Sequence, residues 1–287
     1  MGSHFKSKRC DLTGILPCGL TLGSKLIANA SMESIDTELA ARIRQDIILG
    51  IYKEGGRVSE AQLCENYDVS RTPVRLALRL LEREGVIRRG EGRGYRIQSP
   101  TVEDIIQAVE VRGHLESLAA RLMAQSRISS DHLSEMALAI EKIDEAIGDL
   151  ARMGGLDETV VRRAQAANKV FHTTILSACG NNYIGYTCEK ISHLPMLAVG
   201  SMVFDRTVGD TPDHFERGLF RLRLGNAQHQ VIFEAIEKGD AVRAEGMMRE
   251  HSHTMVEYIQ TFEKRDQSLT VADLVAYSAN EIFPSIS

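Results

Sequence analysis

Apolar residues recur along most of this chain with helical spacing, and the places where that spacing fails divide it into units. From Thr37, the positions Leu39, Ala40, Ile43 and Ile47 fall on one face of a helix that Gly50 closes. Ser59-Glu60-Ala61-Gln62 has the form of a capping box, so a short second helix is expected to begin there. Asp68 and Val69 make a turn. Ser70 is a favourable N-cap, and Pro73 is tolerated in the first turn of a third helix, where its missing N–H has no helical partner. Val74, Ala77, Leu78 and Leu81 occupy i, i+3, i+4 and i+7 of that helix, which is expected to end near Glu84 and Gly85. Val86-Ile87-Arg88-Arg89 and Tyr95-Arg96-Ile97-Gln98 then flank Gly90-Glu91-Gly92-Arg93-Gly94, which reads as two short strands joined by a Gly-rich hairpin, a wing.

After Ser99-Pro100 a second helical pattern starts at Thr101 and continues to the mid-260s. Breaks near Ser129-Ser130, Gly154-Gly155, Gly180-Asn181, 209–212 and Gly239-Asp240 divide it into six or seven helices. Beyond Arg265 the pattern weakens, and one or two helical turns are expected around Val271–Ser278. The expected fold is mainly α. An N-terminal extension (1–36) precedes a winged helix-turn-helix (37–98), a linker (99–101), an all-α bundle (102–265) and a tail (266–287).

The composition agrees with a helical chain: aromatic residues make up 5% and Trp is absent. The formal charge of −5 changes meaning when it is divided. Residues 37–101 hold twelve Lys/Arg against nine Asp/Glu, whereas residues 102–265 hold eighteen against twenty-four. A basic unit beside an acidic one is the asymmetry expected when only the first meets phosphates. The five cysteines form no CxxC pair, and free thiols in a reducing compartment are expected. Asp11, Pro17 and Lys25 break the apolar stretch that faintly resembles a secretory signal, and no run approaches the ~18 apolar residues of a membrane span. A cytoplasmic location with no membrane partner is therefore expected.

On the third helix Arg71, Arg75, Arg79 and Arg83 recur every four residues and share a face. A helix of this kind suits the major groove of double-stranded DNA, where arginine can bind guanine O6 and N7 with two hydrogen bonds. Arg71 and Arg75, nearest its N-terminus, are assigned to base edges or adjacent phosphates, with Arg79 further along. Ser70 and Thr72 can donate hydroxyls to phosphate. Arg93 at the wing tip suits a narrow minor groove or a phosphate, and Gly92 and Gly94 allow the backbone to approach. A solvated helix face is the ordinary reading of such a stripe; the capped helix, turn and Gly-rich hairpin around it favour DNA.

The run Val69–Gly85, VSRTPVRLALRLLEREG, resembles the signature of the GntR family of bacterial regulators, close to VSRTPVREAL followed by L and EG. The resemblance implies DNA contact at Ser70, Arg71, Thr72, Arg75 and the wing glycines, and a homodimer on a palindromic operator. Leu76 departs from it, standing where the family commonly has Glu, so a polar contact there is missing.

In the second unit His172, His229 and His251 each lie on an apolar stripe and are expected to point inward, and Asn168 precedes His172 by one turn. A lone inward histidine is usually a hydrogen-bonded core residue; three on three helices also fit a metal site, since imidazole is the commonest transition-metal ligand. Residues 102–260 resemble the FadR-like FCD effector domain, on Arg112-Gly113-His114-Leu115-Glu116, the Asn168-x3-His172 helix leading to Gly180-Asn181, and the stretch from His229 to His251. That resemblance implies a divalent metal of the Zn, Ni or Mn class on Asn168, His172, His229 and His251, and a small carboxylate effector. Asn168 stands in the usual Asp position and brings an oxygen without charge. Arg112 could pair with the acid or, within its own helix, with Glu116. The leading expectation is a ligand-controlled repressor. A regulator for which the metal is itself the signal is the alternative, and a metal-dependent enzyme stands last because no second base occurs at a spacing such as HExxH.

Overall fold

The computed structural model describes residues 35–90, 94–192, 197–205, 211–265 and 274–277. The N-terminal extension up to residue 34, Gly92 and Arg93 lie outside the described residues.

The first unit is built from α1 (Ile35–Ile48), β1 (Arg57–Val58), α2 (Glu60–Tyr67), α3 (Arg71–Arg83), β2 (Ile87–Arg89) and β3 (Tyr95–Ile97). Helix α1 starts two residues before its apolar pattern does, because Ile35 is exposed and adds nothing to the stripe of Leu39, Ala40, Ile43 and Ile47. Those four pack with Leu63 of α2 and with Val74, Ala77, Leu78 and Leu81 of α3. Ser59 caps α2 by accepting from the Gln62 amide at 3.2 Å. Asp68 then takes a left-handed conformation (φ 51°), which a short polar side chain tolerates, and turns the chain into α3. Ser70 has the extended backbone of an N-cap, but its side chain makes no cap hydrogen bond. Gly85 (φ 75°) ends α3, and the amide of Val86 returns to the Leu81 carbonyl at 3.0 Å. Strands β2 and β3 form the expected wing pair, with Ile87 opposite Ile97 and Arg89 opposite Tyr95. The two-residue β1, too short for any periodicity, adds a third antiparallel strand against β3.

The second unit contains six helices among the described residues: α4 (Val102–Gln125), α5 (Ser130–Met153), α6 (Glu158–Ala178), α7 (Asn182–Ile191), α8 (Pro212–Glu237) and α9 (Ala241–Arg265). Thr101 and Asp104 close a full capping box on α4, and Ser129, Asp157 and Thr211 cap α5, α6 and α8. The core is an apolar cluster around Met123, Met136, Phe171, Ile232 and Met248 to which all six helices contribute, flanked by smaller clusters around Val109 and Ile259 and around Ile143 and Phe215.

Helical turns are expected around Val271–Ser278, of which residues 274–277 are described, and these are not helical. Leu274–Tyr277 is a strand, β5, paired antiparallel with β4 (Met202–Asp205), with Met202 opposite Tyr277 and Asp205 opposite Leu274. Helical spacing failed as a guide here because a short apolar run is compatible with either state, and a partner some 70 residues away decides it.

Helices α4 and α9 pack closely because Gly113 presents no side chain: a Cβ there would lie 2.6 Å from Ser252 Cβ. Gly113→Ala is expected to cost about 1–3 kcal/mol through overpacking. Ser252→Gly in the same chain should recover most of that loss, so a double-mutant cycle of thermal unfolding should show strong positive coupling.

Candidate metal centre and nucleic-acid interface

In the first unit the buried stripe of α3 fixes what its other faces present. With Val74, Ala77, Leu78 and Leu81 fully buried, Ser70, Arg71, Thr72, Arg75, Arg79 and Arg83 are all exposed, and Leu76 is exposed among them. Arg75 is the one of these whose charge is held from another helix: its Nε lies 2.8 Å from Glu60 Oε2 at the start of α2. Gly94 (φ 120°) closes the wing by accepting from the Gly90 amide at 3.2 Å, and a Cβ at Gly94 would meet the Val58 carbonyl at 2.9 Å. Strand pairing also produces a feature that the linear sequence did not reveal. Arg57 lies opposite Arg96, and Arg96 opposite Arg88, so three exposed arginines stand side by side across the sheet. Like charges placed opposite one another are unfavourable in themselves, and a facing anion relieves them.

In the second unit the structure brings His172 of α6, His229 of α8 and His251 of α9 together, with one ligand nitrogen from each lying within 4.8 Å of the others. His172 and His229 are buried and His251 half-buried, whereas His253, two residues further along α9, is exposed. Each ring is aimed by a partner. His172 Nδ1 lies 2.7 Å from Glu116 Oε2, and because a carboxylate only accepts, Nδ1 carries the hydrogen and Nε2 the lone pair. His251 Nδ1 lies 3.0 Å from Gln228 Oε1, whose amide nitrogen donates to Thr254, and the same reasoning leaves its Nε2 as a lone pair. His229 Nε2 is 3.2 Å from His251 Nε2, and its buried Nδ1 has no hydrogen-bond partner. Two nitrogens each about 2.0–2.1 Å from one metal ion lie roughly 3 Å apart, so this pair has the spacing of neighbouring ligands.

Asn168 is buried one turn before His172, and its amide nitrogen donates to the Gly200 carbonyl at 2.9 Å. Gly200 (φ 67°) is what permits this, since a Cβ there would lie 2.4 Å from Lys169 Cα. With its nitrogen engaged, the group Asn168 has left to offer a cation is its oxygen.

Arg112 does not line this site. Its Nε sits 3.1 Å from Glu116 Oε1, and its Nη1 donates to the carbonyls of Leu197 and Ala198 at 2.7 and 3.0 Å. Of the two partners open to it on sequence grounds, the structure provides Glu116. The arginine that borders the histidines is Arg221 of α8, which was not singled out from sequence. Its spacing from His229 is two turns, a signal that was available but unremarkable. It donates to the Val203 carbonyl and lies 3.7 Å from the Tyr258 ring centroid. A cavity of about 90 Å³ opens between these groups, bordered by Asn168, Arg221, Asn226, Gln228, His229 and His251. It has room for a few waters or a small organic acid.

Electrostatically the site is short of anions. Burial would raise the Glu116 pKa, but the His172 ring that donates to it and the Arg112 guanidinium outweigh that and hold the carboxyl at about 2. His229 and His251 move the other way. Burial lowers both, each is lowered further by its neighbouring imidazoles, and His251 falls to about 3. The unfolded chain takes up a proton at His251 near pH 6.5 and the folded chain does not. This contribution to stability is therefore complete above pH 6.5 and is lost as pH falls towards 3. Chelator-treated protein should show a falling unfolding midpoint through a buffer series descending from pH 6.5, and a His229→Gln, His251→Gln double variant should show a flatter profile.

Residues 36–97 match the bacterial regulatory proteins of the gntR family, and residues 107–254 match the FCD domain. The chain is 26% identical over 219 residues to the uncharacterized HTH-type transcriptional regulator YdhC of Bacillus subtilis, covering 76% of this chain and 88% of the relative. It is 24% identical over 218 residues to the HTH-type transcriptional repressor GlaR of Escherichia coli, covering 76% and 92%. Among solved structures, E. coli McbR/YncC is similar in fold, with a TM-score of 0.52 at 15% identity over 80% of this chain and 99% of the other. No helix among the described residues is long and apolar enough to cross a membrane. The protein belongs to the GntR family of bacterial regulatory proteins, with a helix-turn-helix domain followed by an FCD domain.

Proposed function

We propose that this protein is a repressor that binds a palindromic operator as a homodimer and is controlled by a small carboxylate held, together with a divalent metal, in the FCD domain. The observation that carries the reading is the cluster of three imidazoles, two with their Nε2 lone pairs fixed by partners, bordering a cavity that Arg221 also lines. Asn168, His172, His229 and His251 are the residues that would hold the metal. All four are neutral ligands, so a divalent ion among them keeps its full charge, and an acid group is the complement that the site lacks. When bound, the metal would supply a Lewis-acidic anchor for that acid. Arg221 is the protein's own anchor: a guanidinium fixed by Val203 and Tyr258, able to accept a carboxylate. The Zn, Ni and Mn ions all suit three imidazoles and an oxygen donor.

For DNA, the exposed face of α3 supports major-groove contact by Ser70, Arg71, Thr72, Arg75 and Arg79. The name of the relative GlaR supports repression as the outcome.

Four experiments test this reading. Arg75→Ala is expected to abolish sequence-specific retention in a gel shift while its circular dichroism and dimer mass match the wild type; normal specific binding would refute the assignment. Purified wild-type protein is expected to carry about one divalent ion per chain and His172→Ala little or none. A panel of small organic acids should raise the melting temperature of the metal-loaded protein, with much less effect on Arg221→Gln. If chelator alone changes operator affinity with no acid present, the metal is itself the signal.

A further inference from the structure

We infer that Leu76 reads the methyl group of a thymine in each operator half-site. The inference rests on α3 being the groove helix. Val74, Leu78 and Leu81 are fully buried, Leu80 is half-buried against the same core, and Leu76 is 40% exposed and not part of that core. It lies one turn from Thr72 and adjacent to Arg75, on the surface that Arg71, Arg75 and Arg79 also share. An isobutyl group in that position has nothing to hydrogen-bond. The apolar atom that major-groove edges offer is the thymine 5-methyl, and burying it against leucine removes apolar surface from water on both sides. In the free protein the neighbouring Arg75 turns towards Glu60 at 2.8 Å, about 100° around the helix from Leu76, so the two side chains would address different parts of the groove. A glutamate at this position would accept from cytosine N4 and would find no donor on a thymine, whose edge offers the O4 acceptor and the methyl. Leucine therefore changes which base pair is selected rather than merely losing a contact.

The test starts with selection of binding sites from a random duplex library by the full-length protein. Each thymine of the selected site is then replaced singly by uracil, which removes the methyl and leaves the pairing edge intact. Wild type is expected to lose about fourfold in affinity at one thymine per half-site, the value of one buried carbon. Leu76→Ala should bind the thymine site more weakly and be indifferent to that uracil. Leu76→Met should keep the sensitivity, and Leu76→Glu should shift selection to cytosine at that position. The inference is overturned if selection yields no consensus, if no thymine methyl matters to wild type, or if Leu76→Ala remains as sensitive as wild type. Arg75→Ala separates the two levels of failure. If it still binds specifically, the groove-helix reading has failed; if it loses specificity while Leu76→Ala keeps the methyl response, only the role of Leu76 has failed.

Discussion

Taking a carboxylate out of water costs several kcal/mol, and Glu116, at 2% exposure, bears that cost only because both of its oxygens face cationic or donor groups. Arg112 lies 3.1 Å from one oxygen, and His172 Nδ1 lies 2.7 Å from the other. Arg112 also grips the carbonyls of Leu197 and Ala198, just ahead of β4. One buried charge thus ties α4 to α6 and to the segment that supplies Gly200, Ser201 and the β4 wall of the cavity. It also sets the tautomer of His172. If either partner were lost, the remaining buried charge would be uncompensated, at about 3–5 kcal/mol. The orientation of the histidine cluster therefore depends on a residue that touches neither DNA nor the cavity.

How much of this was legible in sequence depends on how far each interaction reaches along the chain. The caps at Ser59 and Thr101, the turn at Asp68 and the stop at Gly85 are settled within a few residues, and these could be placed from local pattern. The inward direction of His172, His229 and His251 was legible for the same reason, since each sits on its own apolar stripe. The Glu116 to His172 bond spans 56 positions, and nothing near either residue announces it. Arg112 shows the limit well. Its i+4 partner was visible as one of two options, but its two backbone partners, 85 and 86 positions away, were not. The pairing of β4 with β5 and the arginine row across β1, β3 and β2 belong to the same class, because strand register is a tertiary fact.

The site combines strict positioning with low charge. Glu116 is committed to Arg112 and His172, Asn168 brings an oxygen without charge, and burial lowers the pKa of His229 and His251. A positively charged occupant and a negatively charged one each make the other's stay more favourable in such a cage. By linkage the assistance is equal in both directions. On the proposed reading, a neutral oxygen donor at Asn168 would make the cavity depend on two guests, where an aspartate would let it saturate with one.

The ion pair between Glu60 and Arg75 has a consequence for how wrong sequences are rejected. So exposed a pair holds the arginine only weakly, and on the proposed reading of α3 a guanine would draw it away at little cost. When it does, Glu60 is left as a bare anion beside a polyanion, a penalty that is accepted only where the new bond outweighs it. A site that offers Arg75 no acceptor leaves the pair closed and gains nothing from that arginine. On the proposed reading the carboxylate on α2 would act as a threshold: it would subtract a constant from each encounter that opens the pair, so that only the stronger ones gain.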